Sequence, residues 1–299
     1  MKGQHYSTPS QYTHIFHSWS EFVDQVEHGE RTEPRSYLSL YSEYDDWAGA
    51  SLQQALRYCH DGWPVGIAKI RELQRTLPPD LFDCVMPVTE YKPELRHQIA
   101  GGVIDVAAHL SGATPETFIA EQVPIDGGDT KRGNKVQSIY CNIRNNSDMD
   151  ENAFFYRGAY TYLMIEHMEQ CGYSTEVYTV SPCEGSGMRC VTYIKVKEFG
   201  ELFDTNKLAI ALCSSYMCRR LGLVIEEMYP TEERKQLGFE NYGCYGIPIM
   251  LSHSTVTLPF DSNLNPIWIS SLNQDDPTRM LAEFRRLLRE WATTDVIQA

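Results

Sequence analysis

Residues 136–180 read VQSIYCNIRNNSDMDENAFFYRGAYTYLMIEHMEQCGYSTEVYTV. The first eight positions of this stretch are rich in apolar and aromatic side chains and predict a short strand. Apolar residues at helical spacing over 156–171 predict a helix that ends at Gly172, and 175–180 return to the pattern of a strand. Strand, helix and strand in this order form one half of a doubly wound α/β unit, which binds ligands beyond the carboxyl ends of its strands. We therefore expect a site in the polar loop 142–150.

This polar loop supplies most of the candidate binding residues. Arg144 and Arg157 are suited to hold an anion or a carboxylate, which would make the loop a ligand pocket. Asp148 and Asp150 precede a helix, so their alternative role is to cap it and complement its dipole. The candidate ligand- or partner-binding residues here are Asn142, Arg144, Asn145, Asn146, Ser147, Asp148, Asp150 and Arg157.

A further candidate lies in the short linker Gly62-Trp63-Pro64 between two predicted helices. Pro64 suits the first position of a helix, and the glycine relieves the turn before it. Trp63 is then either a core residue between the helices or an exposed aromatic contact for a partner.

The rest of the chain predicts an α/β fold that begins with helices. Residues 1–12 are polar and are expected to form a loose arm ahead of them. Strands and helices alternate beyond the polar linker 125–135, which predicts a mainly parallel sheet. We expect a mainly helical N-terminal region over 1–125 and a Rossmann-like, three-layer α/β domain over 136–299.

Composition and charge argue against two classes of partner. Forty Asp and Glu against 26 Lys and Arg give a formal net charge of −14 and a pI near 5.1. Such a chain lacks the excess of clustered cations that attaches proteins to nucleic acid or anionic membranes. Two arginine groups, Arg219 with Arg220 and Arg285 with Arg286 and Arg289, are either seeds of a local basic patch or solvated helix faces. Single-stranded nucleic acid bound through such a patch and exposed aromatics stays an alternative.

The nine cysteines predict reduced thiols, because their number is odd and no C-x-x-C pair occurs. Cys183 and Cys190 flank a Gly-Ser-Gly turn and are suited to a bridge or a metal, although two further ligands at zinc-like spacing are missing. No apolar run reaches the roughly 20 residues that span a bilayer, and no signal-peptide pattern opens the chain. We therefore expect a cytoplasmic protein that does not enter a membrane.

Catalytic motifs are missing from the sequence. We find no phosphate-loop pattern, no dinucleotide fingerprint and no nucleophile elbow around Ser186. We also expect no pairing with a carboxylate or a cysteine at ligand spacing for His60, His97, His109, His167 and His253. These expectations favour a binding protein over an enzyme.

Three motifs are spread along the chain: Gly62-Trp63-Pro64-Val65-Gly66, a segment from Gly102–Val106 to Leu110–Glu116, and Arg157-Gly158-Ala159. Their order resembles an uncharacterised protein family that is encoded mainly by tailed bacteriophages. The resemblance covers nearly the whole chain and implies a phage protein in the cytoplasm of a bacterial host. It implies no known chemistry.

Positions 142–146 read NIRNN between a predicted strand and a predicted helix. In this arrangement the C-terminal part resembles a von Willebrand factor A-type domain, whose Asp-x-Ser-x-Ser loop binds a divalent cation and engages a partner protein. Here an amide replaces the leading carboxylate, and Arg144 adds a charge that repels a cation. Ser147, Asp148 and Asp150 could rebuild a divalent-cation site. Because some A-type domains work beside ring ATPases, the resemblance implies a phage or host ATPase as one partner.

The function that we expect is a non-enzymatic phage protein that acts as a protein-binding or adaptor module. The alternative is an enzyme or binding protein for a small phosphorylated or nucleotide-like ligand at the carboxyl-terminal edge of the sheet. That alternative would use Arg144, Asp148, Asp150 and Arg157. The oligomeric state stays open.

Overall fold

The computed structural model describes residues 3–8, 11–30, 45–83, 91–92, 96–98, 103–104, 118–120, 123–124, 135–144, 150–239, 247–249, 266–270 and 276–298. The chain divides into two compact units, one formed by Met1–Val85 with Asn134–Ala299 and the other by Met86–Gly133. The motif Leu110–Glu116 and the linker at 125–134 lie outside the described residues. The division into regions 1–125 and 136–299 stays a prediction.

Twelve strands are present in the described part of the chain. They are β1 Gln4–Thr8, β2 Gln11–Phe16, β3 Tyr91–Lys92, β4 Arg96–Gln98, β5 Val103–Ile104, β6 Phe118–Ala120, β7 Val123–Pro124, β8 Lys135–Asn142, β9 Tyr173–Gly185, β10 Met188–Lys197, β11 Ile247–Pro248 and β12 Ile267–Ile269. In the smaller unit β3 pairs with β7, and β4, β6 and β5 form a three-stranded sheet.

The helices of the described residues all belong to the larger unit. They are α1 Trp19–His28, α2 Asp45–Ala48, α3 Leu52–Asp61, α4 Pro64–Thr76, α5 Glu151–Gln170, α6 Thr205–Cys213, the π-helix Met217–Gly222, α7 Leu223–Glu227, α8 Thr231–Gln236 and α9 Pro277–Gln298. Ser18, Ser51, Asp150 and Asp204 cap α1, α3, α5 and α6 through side-chain oxygens that accept backbone N–H groups.

The larger unit contains a seven-stranded sheet in the order β1-β2-β10-β9-β8-β12, with β11 paired to β9. The pairs β2/β10, β8/β9 and β8/β12 are parallel. The pairs β1/β2, β9/β10 and β9/β11 are antiparallel. The expected α/β class is therefore confirmed, but the sheet is mixed rather than mainly parallel.

A tight hairpin explains why the sheet is mixed. β9 and β10 are joined by Ser186 and Gly187, both with positive φ, at 49° and 80°. Two residues with positive φ form the kind of turn that connects adjacent antiparallel strands. The hairpin places Cys183 directly opposite Cys190. The reversal leaves the carboxyl end of β10 at the edge opposite to the carboxyl ends of β8 and β9.

The unit β8, α5, β9 agrees with the prediction from the sequence. β8 and β9 are parallel, with Ile139 beside Val177, and α5 is the crossover between them. The helix begins at Glu151, earlier than the apolar pattern suggested, because the Asp150 carboxylate accepts the N–H of Asn152 at 2.7 Å. Capping by Asp150 is therefore confirmed.

The N-terminal segment is part of the sheet. The expectation of a loose arm over 1–12 is wrong for its described residues, since β1 pairs with β2 and β2 lies parallel to β10. Tyr12, His14 and Phe16 face the helices and are buried. Half of the residues in β2 are Gln, Thr and His, so the alternation of residues facing the helices is not visible as an apolar pattern. The strand becomes part of the sheet by pairing with β10.

Each face of the large sheet has its own cluster of buried side chains. On one face, α1, α5 and α6 pack against residues such as Ile139, Val177 and Ile194. On the other face Tyr140 stacks between Tyr178 and Trp268, with ring centroids 4.9 Å away on each side.

Candidate functional site

The end of β8 is fixed by its own side chains. Asn142 Nδ2 donates to the carbonyl of Ile249 at 3.2 Å, and Asn142 Oδ1 accepts the N–H of Arg144 at 2.8 Å. Both Asn142 and Arg144 are buried. The first two candidate residues thus lie together, as expected, but their polar groups already serve the chain itself.

Arg144 forms a buried ion pair with Glu226 on α7. Nη1 of Arg144 donates to Oε1 of Glu226 and lies 3.5 Å from the Ser181 hydroxyl. Burial alone would lower the pKa of Arg144, but the adjacent carboxylate raises it, so the guanidinium stays charged. Burial raises the pKa of Glu226 despite Arg144. The counter-ion of Arg144 is therefore a residue of this chain.

Arg157 lies in the same buried layer, on α5. It is almost fully buried, and burial lowers its pKa. Its electrostatic neighbours are the thiols of Cys141, Cys213 and Cys218, and Cys218 is also a neighbour of Arg144. The charges of both arginines thus act on the Cys218 thiol. Both are embedded in the interior.

Of the other candidate residues, Asp150 and Trp63 lie in the described part of the chain. Asp150 is exposed and caps α5. Trp63 is buried, stands edge-on to Tyr216 at 5.7 Å and donates its backbone N–H to Asn206, so its indole packs in the core. A role of Trp63 in partner binding stays a prediction. The candidates that lie outside the described residues are Asn145, Asn146, Ser147 and Asp148.

The two arginine groups differ in their environment. Arg219 and Arg220 are buried, and they donate to the carbonyls of Trp47 and Ala50 at 2.6 and 3.0 Å. They form neither a basic patch nor a solvated helix face, because their charge tethers another segment. The side chains of Arg285, Arg286 and Arg289 lie on α9, where Arg285 pairs with Asp80 and Arg286 with Glu283 and Glu290.

The opposite edge of the sheet, at the carboxyl ends of β2 and β10, contains a pocket of about 420 Å³. Its charged side chains are mutually neutralised: Lys195 bonds Glu176 at 3.2 Å, Lys197 bonds Glu169 at 2.7 Å and Lys207 bonds Glu201. The lining residues are Ser18, Trp19, Ser20, Lys195, Val196, Lys197, Glu198, Glu201, Asp204 and Lys207.

Two large apolar side chains stand exposed in the loop 198–203, beside the lining residues Glu198 and Glu201. Leu202 is 89% exposed and Phe199 is 38% exposed. Between them Gly200 has a φ of 74°, which a glycine adopts without strain. Reasoning from the sequence missed this feature, although the motif Phe-Gly-x-Leu-Phe just after an alternating strand is a signal for it.

Neither a metal centre nor a simple membrane span is found in the described residues. They contain no group of three or more His, Cys, Asp or Glu that could hold a metal ion. No single described helix is long and apolar enough to cross a membrane, and one bent pair, Thr205–Cys213 with Met217–Glu227, passes by length and composition only.

Comparison with known proteins identifies the family but no characterised relative. No curated protein and no solved structure matches this chain. A family model matches residues 4–291, which confirms the expectation of an uncharacterised family covering nearly the whole chain. The chain therefore belongs to the family described as domain of unknown function (DUF7192).

Proposed function

We propose that this chain is a non-enzymatic protein-binding module that docks a partner protein on the loop 198–203 and the pocket beside it. The observation that carries the proposal is Leu202, a leucine that is 89% exposed and follows Glu201, one of the residues that line the pocket. The resemblance to a phage family supports a role as an adaptor in the cytoplasm of an infected host. An ATPase of phage or host is one partner that fits, on the resemblance to A-type domains alone.

An exposed leucine and an exposed phenylalanine in one short loop leave apolar surface in water, and burying such surface on a partner is favourable. The residues around them suit a binding rim. Glu198, Glu201 and Lys207 are polar and partly exposed, and they can bond a partner without entering the apolar centre. Interface energy concentrates in a few such central anchors.

The buried arginines favour this proposal over a small phosphorylated ligand at the end of β8. A phosphate site needs cations or N–H groups that face the ligand. Arg144 is committed to Glu226, and Arg157 is embedded between sheet and helices. We therefore place the binding site at the other edge of the sheet, at the loop 198–203 and the pocket beside it.

The test is capture from infected host cells with three tagged forms of the protein: wild type, Leu202→Asp and Ile247→Asp. Ile247 is the matched control, because it is an apolar residue that is 73% exposed on β11. We expect wild type and I247D to retain the same partner and L202D to lose it, with at least about a tenfold rise in Kd for the purified pair.

The control variant decides between binding at this loop and adhesion through any exposed apolar residue. Equal loss in L202D and I247D would contradict the proposed docking surface, as would undiminished capture by L202D. Thermal unfolding of all three forms should give matching midpoints, since both substituted side chains lie on the surface.

A further inference from the structure

The last turn of α5 places a cysteine beside a histidine. Cys171 Sγ lies 3.4 Å from Nε2 of His167, and both side chains are half-buried. The His167 ring stacks on Phe82 with 5.3 Å between centroids, which orients the imidazole. The expectation that His167 pairs with no cysteine is wrong, because residues four apart on a helix face each other.

Cys171 is also within reach of a small reactant. Of the seven described cysteines, five are buried, and Cys59 and Cys171 are half-buried. The neighbouring Gly172 is exposed, and a Cβ built on it would meet no atom within 4 Å. Open space therefore lies beside Gly172, the next residue in the chain, and the Cys171 side chain itself is partly exposed.

Of these two thiols, Cys171 is the one that contacts a base within the described part of the chain, His167. Burial raises the pKa of Cys59 to about 12, and the Glu27 carboxylate adds to this effect. Burial also raises the pKa of Cys171. Because the thiolate is the nucleophile, a thiol that rests protonated needs a base within hydrogen-bond distance. His167 satisfies that requirement.

We propose that Cys171 and His167 form a thiol-modification site that takes small disulfides of the glutathione type. In the reaction, Nε2 of His167 accepts the Cys171 proton as Sγ attacks one sulfur of the disulfide. A new S–S bond forms, the disulfide's own S–S bond breaks, and the leaving thiolate takes the proton from the imidazolium. The products are one mixed disulfide and one free thiol, so no further oxidant is consumed. The proposal is independent of the partner-binding function.

The experiment exposes the folded, reduced protein to oxidised glutathione at pH 7.5 for graded times and assigns each adduct by peptide mass mapping. We expect Cys171 to be modified first, and at least about tenfold faster than Cys59, since a positioned base typically contributes about 100-fold or more. His167→Gln should slow modification of Cys171 by at least about tenfold, because an amide accepts no proton. His60→Gln, which changes the histidine beside Cys59 in sequence, should leave the Cys171 rate unchanged.

Two results would overturn the proposal. One is an adduct that forms faster on any other cysteine of the folded chain. The other is a His167→Gln variant that reacts at Cys171 as fast as wild type. Should H167Q fail to fold, the wild type alone decides: the Cys171 to Cys59 rate ratio must fall toward one in urea, where the imidazole is no longer held beside the thiol.

Discussion

At the scale of single residues, the buried Arg144–Glu226 ion pair is expected to contribute strongly to the free energy of unfolding. Two opposite charges are buried together between strand and helix, and each compensates for the other's desolvation. Arg144→Met would leave the Glu226 carboxylate without its guanidinium. We expect the free energy of unfolding, measured in urea, to fall by about 3–5 kcal/mol. The double variant Arg144→Met/Glu226→Leu should recover most of this loss, because it removes both buried charges.

The same pair gives a pH dependence with a definite sign. Burial raises the pKa of Glu226 above its ordinary value of 4.5, so between that value and its pKa in the folded state the folded chain binds more protons than the unfolded one. Stability from this group is greatest at low pH and is lost as pH rises through the folded pKa. Arg144→Met should therefore cost less stability at pH 5 than at pH 8. An equal loss of stability at both pH values would mean that ionisation of Glu226 does not cause the effect of Arg144→Met.

The position of Arg144 at the end of a strand was predictable from the spacing of apolar residues, but its partner was not. Glu226 lies 82 residues away, and only the packing of α7 on the sheet brings it to Arg144. Reasoning from sequence assigned Arg144 to an outside anion or carboxylate, because it lies in the polar loop that follows a predicted strand of an α/β unit. The local cap at Asp150 was predictable, since it depends on its immediate neighbours alone.

At the scale of elements, α5 and α6 lie close together at Gly158. A Cβ built on Gly158 would lie 2.0 Å from the carbonyl oxygen of Leu212, a backbone atom that cannot rotate away. An alanine normally favours a helix over glycine by about 1 kcal/mol. Here we expect Gly158→Ala to lower the free energy of unfolding by about 1–3 kcal/mol through overpacking. The control Asn152→Ala, at an exposed position of the same helix, should change stability little.

The crossover β8, α5, β9 was predictable because strand and helix periods alternate over one continuous stretch. The direction of β10 was predictable in principle from Gly185-Ser186-Gly187, yet the turn was weighed as a metal or bridge motif and its effect on the sheet was missed. Strand direction depends on such turns.

A Gly158→Ala protein as stable as wild type would contradict the prediction made for this position. It would show that α5 and α6 can move apart at no cost in the free energy of unfolding.

At the scale of the whole molecule, the sheet is built from both ends of the larger unit. β2, from the first 16 residues, lies between β1 and the hairpin strand β10, and Tyr12 and Phe16 enter the main core. Sequence reasoning could not find this, because a strand of polar composition gains its buried face only when a distant strand lies beside it.

Two deletions test this architecture. Removing residues 1–17 should prevent stable folding, because β10 loses its neighbour along six residue pairs and the core loses Tyr12 and Phe16. Removing residues 1–10 takes away only the edge strand β1, whose pairing with β2 is its main backbone contact. That variant should stay folded with a lower midpoint of thermal unfolding, followed by circular dichroism.

Cooperative unfolding of the 1–17 deletion near the wild-type midpoint would show that the first segment is dispensable, as its polar composition suggested. Loss of folding in both variants would instead place the essential pairing in β1.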